Sequence, residues 1–326
     1  LDPGESMTIS ATFEIPAAYP ATTLDVKGSL SRSIYGTAPL AVERSGPFTP
    51  FATTPVVPVP SVAVVDVEKK IPRGEKNSDA YAVVFGIEQY KNISPVTYAQ
   101  RDAYWMREYF TRTLGVPEEN IYYKTDIDVG KAEFDKVFSQ GGWLDKRIGD
   151  GRSDLYIYYA GHGAPDFNSR TAFLIPYDGD PNYASQTGYS IDKMTANLSQ
   201  LEARSVTVFL DACFSGANRE NEILLAGARP VFLDVNTAVA ANVTLFSAAS
   251  GNQISSSWAE KQHGIFSYWL MKGMQGSADA NRDKIITVEE LGGFIRNNVS
   301  KTAGKLDREQ TPVLQTMDRE KILVKF

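Results

Sequence analysis

The chain has 326 residues, 43% of them apolar and 22% charged, with a formal net charge of −6. That is an ordinary globular balance, with core enough for one large domain or two smaller ones. It argues against a nucleic-acid partner, since no Lys/Arg-rich run is present, and against a membrane span, since no stretch approaches about 18 consecutive apolar residues. Cys213 is the only cysteine, which excludes an intramolecular disulfide and any multi-cysteine zinc site. The start, Leu1-Asp2-Pro3-Gly4, has neither an initiator Met nor a charged-then-apolar leader. The expectation is a soluble protein, cytoplasmic or exported with its leader removed, or else a piece of a longer one.

Residues 1–46 are rich in Thr, Ser, Ala and Pro. Met7, Ile9, Ala11, Phe13 and Ile15 alternate as one face of a strand over 7–15, and 24–30 is a weaker strand interrupted by Gly28. This segment reads as the end of a β-sandwich. Residues 47–78 read as a linker, with prolines concentrated between Pro47 and Pro60 and a charged, polar end after Lys69. From 79 to 326 strands alternate with helices. Strands are predicted over 81–87, 120–124, 155–159, 206–210 and 243–249, and helices near 98–114, 131–148, 192–202 and 264–275. In the first helix Ala99, Ala103, Met106, Phe110 and Leu114 form an apolar stripe, Thr97 with Gln100 offers a capping box, and Gly115 with Pro117 stops it. The alternation predicts a mainly parallel sheet with helices on both faces, whose sites lie at the carboxyl ends of the strands.

Two such ends carry chemistry. The run at 155–159 stops at Gly161-His162-Gly163, and the run at 206–210 stops at Asp211-Ala212-Cys213-Phe214-Ser215-Gly216. A thiol needs a base to become a nucleophile at neutral pH, and imidazole suits that task. Alone, a cysteine is often a small buried hydrophobe and a histidine is often structural. Together at two strand ends they point to a Cys213–His162 pair, with the N–H groups of Gly163 and Cys213 as an oxyanion hole.

Gly161-His162-Gly163 and Asp211-Ala212-Cys213, with the histidine about 50 residues upstream, resemble the caspase-like cysteine peptidases, and most nearly their metacaspase and bacterial orthocaspase branch. The resemblance spans about 79–326 and takes in Gln100-Arg101-Asp102-Ala103, Leu174 to Asp178, and His263 to Phe266. It implies a six-stranded, mostly parallel sheet flanked by helices and divided into a large-subunit-like part (79–216), an intersubunit-type loop (217–242) and a small-subunit-like part (243–326). By resemblance alone it also implies a monomer.

Asp102 sits beside the buried helical stripe and needs a partner or a function; the plainer reading is a charge favoured at a helix N-terminus. Asp211 shares a face with Cys213 in extended chain; the plainer reading is a turn aspartate. Two carboxylates beside the thiol favour a basic side chain at the cleaved position. The resemblance agrees, since metacaspases hold Arg or Lys with acids at the matching positions. The expected activity is therefore cleavage of protein or peptide substrates after Arg or Lys. Trp258 matches the aromatic region that lines the neighbouring subsite in caspases. No cofactor is required by the Cys–His chemistry. Many metacaspases bind Ca2+, however, and Asp178, Asp192 and Glu220 correspond in position, with Lys193 where the family often has a further acid.

Residues 279–290 place oxygen side chains at EF-hand positions, but Lys284 replaces the glycine of the sharp turn. The preferred reading is an Asx-type turn entering a helix capped by Thr287 and Glu290. His263, near a predicted helix start, reads as structural. In the loop after Cys213, Arg219 is the self-cleavage candidate, because Pro230 follows Arg229. The alternatives to an endopeptidase are a catalytically silent scaffold that keeps the fold, and a Cys-dependent transferase or ligase.

Overall fold

The computed structural model describes residues 64–166, 171–214, 240–250 and 253–326, and upstream of these the backbone of two strands. The chain forms two compact units, Leu1–Ala63 and Val64–Phe326. In the first, β1 (Thr23–Leu30) and β2 (Leu40–Pro47) make an antiparallel ribbon. The strand expected over 7–15 lies outside the described residues.

The second unit begins with β3 (Ala80–Gly86), α1 (Ala99–Arg112), β4 (Ile121–Thr125), α2 (Lys131–Phe138) and β5 (Asp154–Ala160). A small antiparallel sheet follows, of β6 (Gly163–Asp166), β7 (Thr171–Leu174) and β8 (Tyr189–Ser190), with the one-turn helix α3 (Ala184–Thr187) before its last strand. Then come α4 (Ile191–Gln200), β9 (Ser205–Asp211), β10 (Val243–Ser247), the paired β11 (Ser257–Trp258) and β12 (His263–Gly264), and α5 (Ile265–Lys272). The chain closes with β13 (Ile285–Thr287), α6 (Val288–Lys305), β14 (Val313–Gln315) and β15 (Ile322–Lys325). The main sheet has the order β14-β10-β9-β5-β3-β4, parallel from β10 to β4, with β14 antiparallel on β10. This is the expected six-stranded, mainly parallel architecture.

The central strands are buried on both faces, which is why they read as continuous apolar runs rather than as alternation. Ala82 and Val84 of β3, Tyr156 and Tyr158 of β5 and Phe209 of β9 pack towards α1, α5 and α6. Val83 and Phe85, Leu155 and Ile157, and Val208 and Leu210 pack towards α2 and α4. The face of each strand therefore decides which helical layer a residue meets, and Asp211 continues the Phe209 face.

Three local expectations change. The α1 stripe is buried as predicted, but Thr97 and Gln100 form no capping box. The N-cap is Tyr98, in the left-handed region at φ +71°, and the Gln100 N–H is taken by the Glu88 carboxylate at 3.2 Å. The helix expected over 131–148 ends at Phe138, because Gly141 adopts φ +72° and a turn with Gly142 follows. Residues 64–78, expected as the end of the linker, belong to the larger unit. Val65 and Val67 are core residues, the Tyr109 hydroxyl donates to the Val67 carbonyl at 2.6 Å, and Thr113 Oγ1 donates to the Pro72 carbonyl at 2.9 Å. Alternating valines, masked in sequence by the neighbouring charges, seat this strap against α1.

Removing the Tyr109 hydroxyl leaves the Val67 carbonyl buried without that donor, a loss of about 1–3 kcal/mol. Tyr109→Phe is expected to lower the urea midpoint accordingly and to speed trypsin cleavage at the exposed Lys69 and Lys70. Unchanged cleavage there would show that the strap is held by other contacts.

Candidate active site

β5 and β9 are neighbours in parallel register, with Ala160 opposite Asp211. Each strand runs on by two residues, one to His162 and the other to Cys213. His162 and Cys213 therefore each lie two residues past the last paired position of adjacent parallel strands. Both residues are buried, His162 at 2% exposure and Cys213 at 4%.

Glycines make this approach feasible. A Cβ on Gly161 would lie 2.6 Å from the hydroxyls of both Tyr90 and Tyr159. One on Gly163 would lie 2.5 Å from the Cys213 carbonyl oxygen and from the Phe214 ring. Only hydrogen fits at either position. The tyrosines that crowd Gly161 clamp the His162 peptide. Its N–H donates to Tyr90 Oη at 2.6 Å, while its carbonyl lies 2.7 Å from the Tyr159 hydroxyl and accepts the Ile175 N–H at 3.0 Å. The Tyr90 and His162 rings are 4.7 Å apart.

The His162 ring has a defined proton. Nε2 lies 2.8 Å from the Ser94 carbonyl, and a carbonyl oxygen only accepts, so Nε2 bears the hydrogen. In the neutral ring Nδ1 is then the basic nitrogen. The Cys213 sulfur accepts the Ser255 N–H at 2.8 Å and lies 3.3 Å from the Ser255 carbonyl. Ser255 thus meets the sulfur from both sides, its N–H donating to Sγ and its carbonyl accepting the S–H. Ser255 in turn donates its hydroxyl to Asp211 Oδ1 at 2.5 Å, and the loop that carries it is held by buried Gln310, which accepts the Ser256 N–H at 2.9 Å.

Asp102 and Asp211 are both fully buried, and one short segment grips both. Asp102 Oδ1 lies 2.6 Å from His263 Nδ1, and its Oδ2 accepts the Gly264 N–H at 2.9 Å. Asp211 Oδ2 accepts the Ser267 hydroxyl, which also lies 2.6 Å from the Tyr158 hydroxyl. The start of α5 thus faces both carboxylates, an arrangement its dipole favours.

His263 is fully buried between acids. Beyond Asp102, its Nε2 lies 3.2 Å from Glu68 Oε1, at an angle that makes this an ion-pair contact and leaves Nε2 without a directed hydrogen bond. Glu68 also binds Arg101 through Nε at 2.7 Å and the Val65 N–H at 2.9 Å. Burial alone would push the His263 pKa down; the Asp102 and Glu68 carboxylates outweigh it and hold it above the ordinary value of 6.5. Burial would likewise raise the Glu68 pKa, but His263, the Val65 N–H and Arg101 hold it below its ordinary 4.5.

The other expected site residues have the following surroundings. Trp258 stacks on Trp269 with centroids 6.1 Å apart and meets the edge of Tyr268. It lines a groove of about 500 Å³ with residues of α6, among them Lys301 and Lys305. Its neighbours are the aromatic side chains of α5, because its pairing with His263 in β11–β12 carries it to that layer. Asp178 accepts the Lys131 N–H at 3.0 Å at the start of α2, Asp192 is exposed on the first turn of α4, and Glu220 lies outside the described residues, as do Gly216 and Arg219. Among the described residues no group of three His, Cys, Asp or Glu side chains is arranged to hold a metal ion. The 279–290 loop is a series of Asx turns, with Asp279 accepting the Arg282 and Lys284 N–H groups and Lys284 at φ +68°. It enters α6 through the expected capping box, Glu290 N–H to Thr287 Oγ1 at 3.2 Å and Thr287 N–H to Glu290 Oε2 at 3.0 Å. No helix among the described residues is long and apolar enough to cross a membrane.

Sequence reasoning missed the Ser94 carbonyl, which as a backbone group has no residue signature, although Pro95 after it favours an extended conformation that exposes it. It also missed Ser255 and Ser267. The serine run 255–257, after a strand that ends at the same sheet edge, was the available signal.

A family model described as Caspase domain matches residues 79–323. Among solved structures the chain is similar to caspase-1 from Spodoptera frugiperda, at 16% identity and a TM-score of 0.47, covering 78% of this chain and 94% of that one. It is also similar to the Drosophila initiator caspase Dronc, at 11% identity and a TM-score of 0.46, covering 78% and 85%. No curated protein matches.

The buried ion network makes stability pH-dependent in a defined sense. A histidine whose folded pKa is raised contributes fully below its unfolded value of 6.5 and loses the contribution as pH rises through the folded value. Glu68, with a lowered folded pKa, contributes fully above 4.5 and loses it as pH falls through the folded value. His263→Gln is therefore expected to cost about 3 kcal/mol at a pH between these values, with the gap to wild type narrowing as pH rises further. Urea midpoints measured across pH check this, and a gap that stays constant to pH 9 would contradict it.

Proposed function

This chain belongs to the caspase-domain family, and from that premise we propose that it is a cysteine endopeptidase cleaving polypeptides after Arg or Lys through Cys213 and His162. The observation that carries the reading is the alignment of thiol and imidazole on adjacent strand ends, with the Nε2 proton of His162 fixed on Ser94.

His162 Nδ1 takes the Cys213 proton, and the thiolate, towards which the Ser255 N–H is directed, attacks the substrate carbonyl carbon. Negative charge develops on the carbonyl oxygen, where the N–H groups of Gly163 and Cys213 act as donors. Collapse breaks the C–N bond, the leaving amine takes its proton from His162, and a thioester to Cys213 remains. Water, deprotonated by His162, hydrolyses the thioester and restores the thiol.

Asp211, joined to the thiol through Ser255, and Asp102 are both gripped by the start of α5, which supports a pocket for a basic side chain. A guanidinium or ammonium entering it exchanges the hydroxyl partners of Asp211 for a charge-assisted contact. Calcium dependence, proposed on the family resemblance, enters through the test rather than through these groups.

The test uses the purified chain, Cys213→Ala and His162→Ala with acetylated peptides ending in Arg, Lys or Asp before a fluorogenic group, with and without Ca2+. Turnover of Arg and Lys peptides is expected, falling by about 10³-fold or more in either variant. Turnover of the Asp peptide alone would keep the pair and sink the acidic pocket. Silence throughout, with Cys213 unreactive to a thiol-directed probe, would favour a scaffold that keeps the fold without the chemistry.

A further inference from the structure

His263 is not needed for the Cys–His chemistry, yet it is completely buried, with each ring nitrogen facing a carboxylate: Asp102 at 2.6 Å and Glu68 at 3.2 Å. Burying an imidazole between two acids is costly unless it carries a proton. Its first acid is one of the two proposed pocket carboxylates; its second belongs to the strap that precedes the residues matched by the family model. Resting on the reading of Asp102 as a pocket acid, we propose that His263 is a specificity-determining positioning residue: it sets the charge Asp102 presents to a basic substrate side chain, and Glu68 of the strap sets the charge of His263.

The imidazolium offsets Asp102. Loss of the Nε2 proton to solvent leaves Nδ1–H on Asp102 Oδ1, so the carboxylate keeps its position while its charge is no longer compensated. The groups that face His263 fix where this happens. α1 supplies Asp102 and Arg101, the latter also donating to Gln262 Oε1 at 2.8 Å. The strap supplies Glu68 and, one turn away, Asp66, which pairs with Lys272 at 2.9 Å and Lys261 at 3.6 Å. α5 supplies the Tyr268 ring, 6.5 Å away between centroids. The two carboxylates in direct contact outweigh the rest and favour the cation, in keeping with the raised His263 pKa. The switch therefore operates on the alkaline side of an ordinary histidine.

The readout must separate this pocket from the Cys–His pair, which also titrates. The ratio of kcat/KM for an acetylated Arg peptide to that for its citrulline counterpart does so, because the pair affects both peptides alike and only arginine feels the pocket charge. In wild type the ratio is expected to rise roughly tenfold from pH 6 to 9, the scale of one charge contact a few ångströms away. His263→Asn keeps an amide N–H near the Nδ1 position without the charge, so its ratio should be high at pH 6 and flat. Glu68→Gln should move the rise to lower pH, and this variant serves if His263→Asn does not fold. A flat wild-type ratio, or a rise that survives in His263→Asn, overturns the proposal. If neither peptide is turned over, the endopeptidase reading fails separately. The charge effect is then read by calorimetric binding of the two peptides to Cys213→Ala: tighter arginine binding at pH 9 than at pH 6 supports it, and equal binding overturns it.

Discussion

The parallel register of β5 on β9 is the constraint on which the site depends. Ala160 lies opposite Asp211, and His162 and Cys213 each follow two residues beyond their strand. A shift of one residue on either strand would turn every side chain of that strand to the other helical layer. Val208 would then face α1 and Phe209 would face α2, so the core itself enforces the register of the two strands that His162 and Cys213 follow. Chemistry and packing are set by the same hydrogen-bond ladder.

The second organising element is the start of α5. Its His263, Gly264 and Ser267 reach two fully buried carboxylates from different parts of the chain, one on α1 and one at the end of β9. Buried charge is tolerated only with such partners. The aspartates therefore hold α1, β9 and α5 together.

The strap over 64–78 joins this network from outside the stretch matched by the family model. Valines bury its backbone against α1, and Glu68 carries its charge inward to His263. Two carboxylates, an imidazole and a guanidinium offset one another there, so the desolvation each would suffer alone is shared. The segment immediately before the matched domain is in this way electrostatically connected to Asp102 through His263.

Much of this was legible in the amino-acid sequence. Apolar runs ended by glycine located the strands, because strands buried on both faces need continuous apolar side chains. The Gly161-His162-Gly163 and Asp211-Ala212-Cys213 stops located two strand ends, because a close backbone approach leaves room only for small residues. The Thr287–Glu290 cap was readable because it depends on neighbours three residues apart. What the sequence did not reveal depends on contacts between distant segments. The carbonyl of Ser94 is a backbone group, Ser255 and Ser267 act through residues more than forty positions away, and Trp258 follows its strand partner to the α5 layer. His263 reads locally as an incidental residue before a helix. Only the tertiary structure brings Asp102 and Glu68 to its two nitrogens, because burial and partner charge, which decide whether an imidazole is a spectator or a cation, are properties of the assembled core and not of the neighbouring residues.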